Sequence, residues 1–168
     1  LVAATYREGL AECAWTNELD GPAEVVLPVT GSHDAQPLHP RSRSLVAVGG
    51  GKDSIVALEE VRKDGDVLLF SIGEAAPVQR TVDVAALELR SISRRISPAI
   101  LELNAAGARN GHIPITAVTS MLTVIVAIIE DCDEVIMADE RSASAGSFDW
   151  QGISVNHQWS KGWDFEER

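Results

Sequence analysis

Ser44-Leu45-Val46-Ala47-Val48-Gly49-Gly50-Gly51-Lys52-Asp53-Ser54 is the stretch whose reading decides the fold. Its first half is a short continuous apolar run stopped by glycines, which suits a parallel strand buried on both faces. Its second half opens a helix. Asp53 or Ser54 is placed to cap that helix, Ile55, Leu58 and Val61 recur at helical spacing, and Gly65 is placed to end it.

Working outward, the same alternation continues. Val67 to Phe70 reads as a second strand, Val78 to Ala86 as a helix, and Leu87 to Ile92 as a third strand. Pro98 to Asn104 adds a short helix. Pro114 suits a first helical turn, and the apolar segment that follows runs to about Asp131. Its β-branched residues favour strand locally, but the run is far longer than a strand of about 5 to 6 residues, so a buried helix is predicted. Glu134 to Ala138 reads as a fourth strand. Strands alternating with helices predict an α/β fold: a parallel twisted sheet with helices on both faces, taking ligands at the carboxyl ends of its strands.

Residues 1–43 are less regular. They contain a strand-like run from Glu24 to Val29 and a polar connector with Gly31, Pro37 and Pro40, and read as an N-terminal extension and linker to a domain over residues 44–168. The tail from Gly152 to Arg168 is expected to form loops or short strands over the sheet edge. A start at Leu1 in place of Met, and a charged end at Asp164 to Arg168, suggest a portion of a longer chain.

Composition narrows the function classes. Fourteen basic against twenty-five acidic residues give a net charge of -11, which repels a phosphate backbone and argues against nucleic acid as a partner. The two cysteines, Cys13 and Cys132, stand apart and supply neither a zinc site nor a disulfide framework. Met121 to Ile129 is the most apolar window and falls well short of the roughly 18 to 20 residues that span a bilayer. Arg7, Glu8 and Glu12 interrupt any secretory signal. A cytoplasmic location is expected, with no membrane span.

Gly49, Gly50 and Gly51 let backbone amides turn inward on an anion, and the helix that follows aims its positive end at the same point. Lys52 adds a mobile cation and Ser54 a hydroxyl donor, so the turn suits a polyphosphate. Asp53 can cap the helix or help to hold Mg2+. Neither the Walker spacing nor the dinucleotide pattern is present. The string Val48 to Ser54 instead resembles the Ser-Gly-Gly-x-Asp-Ser signature of the pyrophosphatase-loop (PP-loop) ATP enzymes, with Gly49 in the serine's place. That resemblance covers about Ser44 to Asp139. It implies ATP and Mg2+ as cofactors, an adenine nucleotide alpha hydrolase-like (HUP) fold, cleavage of ATP between its α and β phosphates, and Phe70, Ser71, Ile72 and Gly73 beside the nucleoside.

Further polar chemistry gathers in Gly111 to Ala117, in Asp139-Glu140-Arg141-Ser142-Ala143-Ser144, and in Val155-Asn156-His157-Gln158-Trp159-Ser160-Lys161. With the glycine turn, these strings resemble the ATP-dependent UDP-N-acetylmuramoyl-L-alanyl-L-glutamate epimerase family of bacterial cell-wall synthesis. The resemblance implies adenylation of the terminal glutamate carboxylate, which acidifies its Cα proton for inversion, and a UDP-linked muramoyl dipeptide as small-molecule substrate.

Within it, Arg141 can grip a carboxylate or phosphate, or pair with Glu140, and Lys161 can neutralise a diphosphate. Asn156 lies in the same substrate-side string. His112 and His157 can shuttle protons or hold their own loops, with Glu140 and Asp139 as rival acceptors. Trp150, Trp159 and Trp163 can stack on a base or anchor the tail. Two rival readings are a PP-loop amide-forming enzyme resembling 7-cyano-7-deazaguanine synthase, whose four-cysteine zinc site these cysteines cannot supply, and a non-catalytic ATP sensor.

Overall fold

A computed structural model describes residues 1–22, 24–28, 31, 34 and 36–168. Two short helices, α1 (Val2–Arg7) and α2 (Ala11–Thr16), come first. Then follow β1 (Arg41–Ala47), α3 (Lys52–Val61), β2 (Asp66–Ile72), α4 (Ala76–Ala85), β3 (Leu89–Ile92), α5 (Ala99–Ala105), α6 (Ile115–Ile129) and β4 (Cys132–Ile136). The tail holds a 3-10 turn at Arg141–Ser144, β5 (Phe148–Trp150), β6 (Ile153–Val155), a second 3-10 turn at Trp159–Lys161, and α7 (Trp163–Glu166). By compactness the chain divides into two units, one of Asp34–Arg95 with Thr119–Ala138, the other of Leu1–His33, Ile96–Val118 and Asp139–Arg168.

The first of these carries a four-stranded sheet in the order β3-β2-β1-β4, and every pairing in it is parallel. β1 lies inside, with Leu45 opposite Leu68 on one side and Val135 on the other. Alternate residues point to opposite faces of a strand. Val46, Val48, Val67 and Leu69 therefore pack with Leu58 of α3 and with Val78 and Ala85 of α4. Leu45, Leu68 and Phe70 pack on the opposite face with Val126 and Ala127 of α6. Helices flank the sheet on both faces, as the alternation of segments predicts.

Ion pairs hold the amino end of the sheet. Arg43, only 12% exposed in its side chain, lies between Asp66 at 3.1 Å and Glu88 at 3.2 Å, and Arg90 bridges Glu88 and Glu130. Hydrogen bonds from Arg90, then from Arg43, hold the Glu88 carboxyl below its ordinary range.

Three expectations change. Glu24 to Pro28 form no strand, and Val29 lies outside the described residues; among the described residues no strand pairs with Glu24 to Pro28, and Val26 is 94% exposed. The long apolar segment is a helix, but not a buried one. α6 gives Leu122, Thr123, Val126 and Ala127 to the protein side, while Val124, Ile125, Ile128 and Ile129 are 50 to 72% exposed. Likewise Ile55 on α3 is 40% exposed, so that helix is anchored chiefly by Leu58.

In the second unit, β5 and β6 form an antiparallel hairpin closed through Gln151 and Gly152, both at positive φ. Ile153 and Val155 of β6 pack with Ala11 of α2. Among the described residues no helix is long and apolar enough to cross a membrane.

The sheet face beneath α6 and the outer side of that helix make a direct test of this packing. Leu68→Ala, at a site with no exposed surface, should lower unfolding free energy by about 2 to 5 kcal/mol, whereas Ile129→Ala should change it by less than about 0.5 kcal/mol. Urea unfolding of both variants checks the contrast.

Candidate functional site: a glycine turn at a strand crossover

β1 carries the chain through the sheet to its carboxyl end, where the Val48 amide donates to the Phe70 carbonyl at 2.8 Å. Gly49, Gly50 and Gly51 then turn it into α3. Gly50 has φ of +77°, and a Cβ there would lie 2.4 Å from Cβ of Pro77 and 3.0 Å from the amide nitrogen of Val78. The first turn of α4 thus closes on this one residue, and only glycine fits. Gly49 and Gly51 differ. Neither has positive φ, and a Cβ on either would meet nothing within 4 Å. Packing accounts for the middle glycine and leaves open space at the other two.

Gly51, extended at φ -90° and ψ 164°, is itself the N-cap of α3. This corrects the expectation that Asp53 or Ser54 caps the helix: Lys52 is already its first residue. Ser54 instead donates its hydroxyl back to the Gly51 carbonyl at 2.9 Å and steadies the turn. Lys52 pairs with Asp53 at 3.2 Å, but the two side chains are 85% and 50% exposed, so water screens the pair and leaves the ammonium mobile. The unpaired amides of the first turn give α3 its partial positive charge at this point.

The sheet order fixes where this turn lies. From β1 the chain steps to β2 and β3 on one side, and β4 adds to the other side of β1. The turn therefore sits at the reversal between β1 and β4, where the loops leaving neighbouring strands diverge and open a crevice.

The neighbouring end of β2 is less open than its sequence suggests. Phe70 has no exposed surface and its ring belongs to the core under α6, which removes the side chain from any ligand-facing role. Ser71 is buried and donates its hydroxyl to the Gly73 carbonyl at 2.6 Å. Gly73, at φ of +79° with nothing near its Cβ position, keeps an open backbone. No group of three or more His, Cys, Asp or Glu side chains that could hold a metal ion occurs among the described residues. A single carboxylate such as Asp53 still suffices for Mg2+, which usually takes one or two carboxylates plus substrate phosphates and water.

The second unit ties its polar strings to one another. Asn156 donates to the Ala143 carbonyl at 2.7 Å and accepts from the Gln158 amide at 2.9 Å, so both ends of its amide are engaged. The Trp163 amide donates to Ser144 Oγ at 3.1 Å. Trp159 is buried edge-on against Phe165 at 5.1 Å, Trp150 packs beside Ile153 and Val155, and Trp163 is 60% exposed.

His112 and His157, distant in sequence, meet with ring centroids 6.0 Å apart and nearly perpendicular. Arg141 opens its 3-10 turn exposed and, among the described residues, forms no ion pair. Glu140 accepts instead from Ser142 at 3.2 Å. Lys161 is exposed. Asp139 is exposed as a residue, yet protein crowds its carboxyl enough to raise its pKa; Lys161 pulls the value down and Glu166 adds to the rise.

Two features escaped the sequence. The closure of Pro77 and Val78 on Gly50 left no signal except a proline suited to a helix start. The carboxylate of Glu74, which accepts from Ser91 and Gln79, was legible only as an acid following Gly73.

An open parallel sheet with helices on both faces and a glycine turn at its strand reversal defines an α/β domain with a parallel sheet. The model of the MurL N-terminal domain family matches residues 1–168, and the chain belongs to that family. It is 42% identical over 174 residues to a UDP-N-acetyl-alpha-D-muramoyl-L-alanyl-L-glutamate epimerase from Micromonospora sp., covering 99% of this chain and 38% of the relative. Proteins of the same name from Salinispora tropica and Xanthomonas oryzae pv. oryzae are 42% and 41% identical, with 99% of this chain covered and 37% and 38% of the relatives. The chain thus spans less than two fifths of the length of these relatives. No solved structure gives a significant match.

The glycines separate by function under mutation. Gly50→Ala should cost about 2 kcal/mol or more, through strain at positive φ and collision with Pro77, while Gly49→Ala should stay within about 0.5 kcal/mol. Thermal unfolding of the two variants reads the difference.

Asp139 gives a pH test. Because its folded pKa is raised, its contribution to stability is full below the ordinary aspartate value of about 3.9 and is lost as pH rises through the folded value. Asp139→Asn should therefore match wild type near pH 3 and exceed it at pH 7 in a series of melting temperatures.

Proposed function

We propose that this chain is the nucleotide-binding portion of an epimerase that consumes ATP while inverting the terminal L-glutamate of a UDP-linked muramoyl dipeptide. One observation carries the nucleotide half. Gly49 and Gly51 leave open space beside the start of α3, with the exposed Lys52 next to them, although neither glycine is required by packing or dihedral angle. Backbone amides at a helix start, bare of side chains and next to a mobile cation, form a cradle for polyphosphate. The string Gly49 to Ser54 and the sheet order support a PP-loop, HUP-type reading. The activity for which the relatives are named supports the substrate.

The chemistry follows from the acidity of carbon. A Cα proton beside a carboxylate is hard to remove, because the carbanion would add charge to an anion. In the proposed route a carboxylate oxygen attacks the α-phosphorus of ATP, the new O–P bond forms as the bond to pyrophosphate breaks, and the acyl group loses its charge. The Cα proton then leaves to a base and returns to the opposite face, and water releases the free D-glutamyl product and AMP. Charge that develops on the acyl oxygen needs a fixed cation or dipole nearby.

Lys52 and the first amides of α3 are assigned to the phosphates. Asp53 is assigned to hold Mg2+, which would supply positive charge beside the leaving pyrophosphate. In the second unit, His112 and His157, whose ring centroids lie 6.0 Å apart, are assigned to proton transfer, because an imidazole can both accept and donate a proton. Arg141, exposed and without an ion pair among the described residues, suits a carboxylate, and Lys161 suits the sugar diphosphate. Glu140 is held by Ser142 and ranks behind the histidines as a proton acceptor.

The test uses a polypeptide of the relatives' full length that includes this chain, incubated with ATP and UDP-MurNAc-L-Ala-L-Glu. Pyrophosphate release should match D-glutamate formed, and Lys52→Ala should cut the rate about 10-fold or more while melting stays unchanged. Inversion without ATP, or full activity in the Lys52 variant, contradicts the proposal.

A further inference from the structure

Ile115 to Ile129 contains no charged residue, and the helix it forms, α6, packs on the sheet with one side only. Leu122, Val126 and Ala127 meet Leu68 and Phe70 there. Val124, Ile125, Ile128 and Ile129 fall on the other side, at spacings that make one continuous stripe along a helix, and each is at least half exposed. These residue types suit burial rather than water. β-branched side chains lose rotamer freedom in a helix, and solvent-facing positions are better filled by Glu, Lys or Gln. The first charges beyond the helix, Glu130 and Asp131, are engaged by Arg90 and Arg41 of the sheet at 2.7 and 3.1 Å. The outer stripe of α6 thus has the composition of a core surface.

The size of the stripe and the length of the relatives say what covers it. A stable contact between separate copies uses about 20 to 30 residues a side, far more than the four aliphatic side chains offered here. A partner on the same polypeptide needs less, because the tether holds it at an effective concentration in the millimolar range, and interfaces between domains of one chain extend down to about 600 Å². Such a partner exists in the relatives. The matching family model is that of an N-terminal domain, and more than three fifths of each relative lies outside the part this chain matches.

We propose that the outer face of α6, formed by Val124, Ile125, Ile128 and Ile129, is the docking surface for the polypeptide that follows this domain in the longer protein, which packs there through aliphatic side chains of its own. The sheet is then enclosed on this face by two layers, α6 and the docked segment. Docking at α6 needs no nucleotide, so its test stands apart from that of the ATP reading.

A polypeptide of the relatives' full length that includes this chain, carrying Ile125→Cys, tests the docking by maleimide labelling, with peptide mapping to separate position 125 from Cys13 and Cys132. Labelling in native buffer should be about 10-fold or more slower than in urea, because the thiol reacts only when the docked segment opens. In the same polypeptide, Ile128→p-benzoylphenylalanine should give on irradiation an adduct of single-chain mass that maps outside residues 1–168. Native labelling within about threefold of the unfolded rate overturns the proposal, since the face then lies open to solvent. An adduct of twice the chain mass, which would seat a second copy on α6, or one confined to residues 1–168, overturns it as well.

Discussion

The approach of Pro77 to Gly50 is the constraint on which the site depends. A backbone at φ of +77°, with a neighbouring helix start lying where any Cβ would go, admits one residue type. That contact fixes the turn against the loop after β2 without filling the space at Gly49 or Gly51. Rigidity and openness therefore coincide in three consecutive residues. A turn that merely joined strand to helix would need glycine only at the middle position.

Behind the turn, the sheet supplies the rigidity. Leu45 and Val46 have no exposed surface and face opposite helix layers, so β1 cannot shift along either face without moving a packed layer. Arg43 and its acids bind the amino end, and the glycine turn lies at the opposite, carboxyl end. α6 has an apolar surface on both sides, and its outer residues Val124, Ile125, Ile128 and Ile129 are exposed in this chain. A helix apolar all round is ordinarily enclosed on all sides.

Much of the sheet unit was legible because its strands are unbroken apolar runs and its helices lie between them. The strands at Val67 and Glu134, and the helices at Val78, Pro98 and Pro114, all formed within a few residues of their expected bounds. α1 and α2 were not foreseen, since six-residue helices are too short to display a period. The apolar run at Glu24 looked like a strand because alternation alone does not reveal whether a partner exists. At the site, the glycines and Lys52 were readable as chemistry. The inward side chain of Phe70 was not, because the face a strand residue occupies is set by tertiary packing. The meeting of His112 with His157, and the use of Asn156 as a tie to Ala143, depend on chain folding between distant strings.

Amide chemical shifts during titration with ATP and Mg2+ test the central claim most directly. The amides of Gly49, Gly50, Gly51, Lys52 and Asp53 should move earliest and farthest, saturating together, with Leu122 to Ala127 under the far face of the sheet unmoved. Saturable shifts confined to any other part of the chain, or none at millimolar nucleotide, would contradict a polyphosphate cradle at this turn.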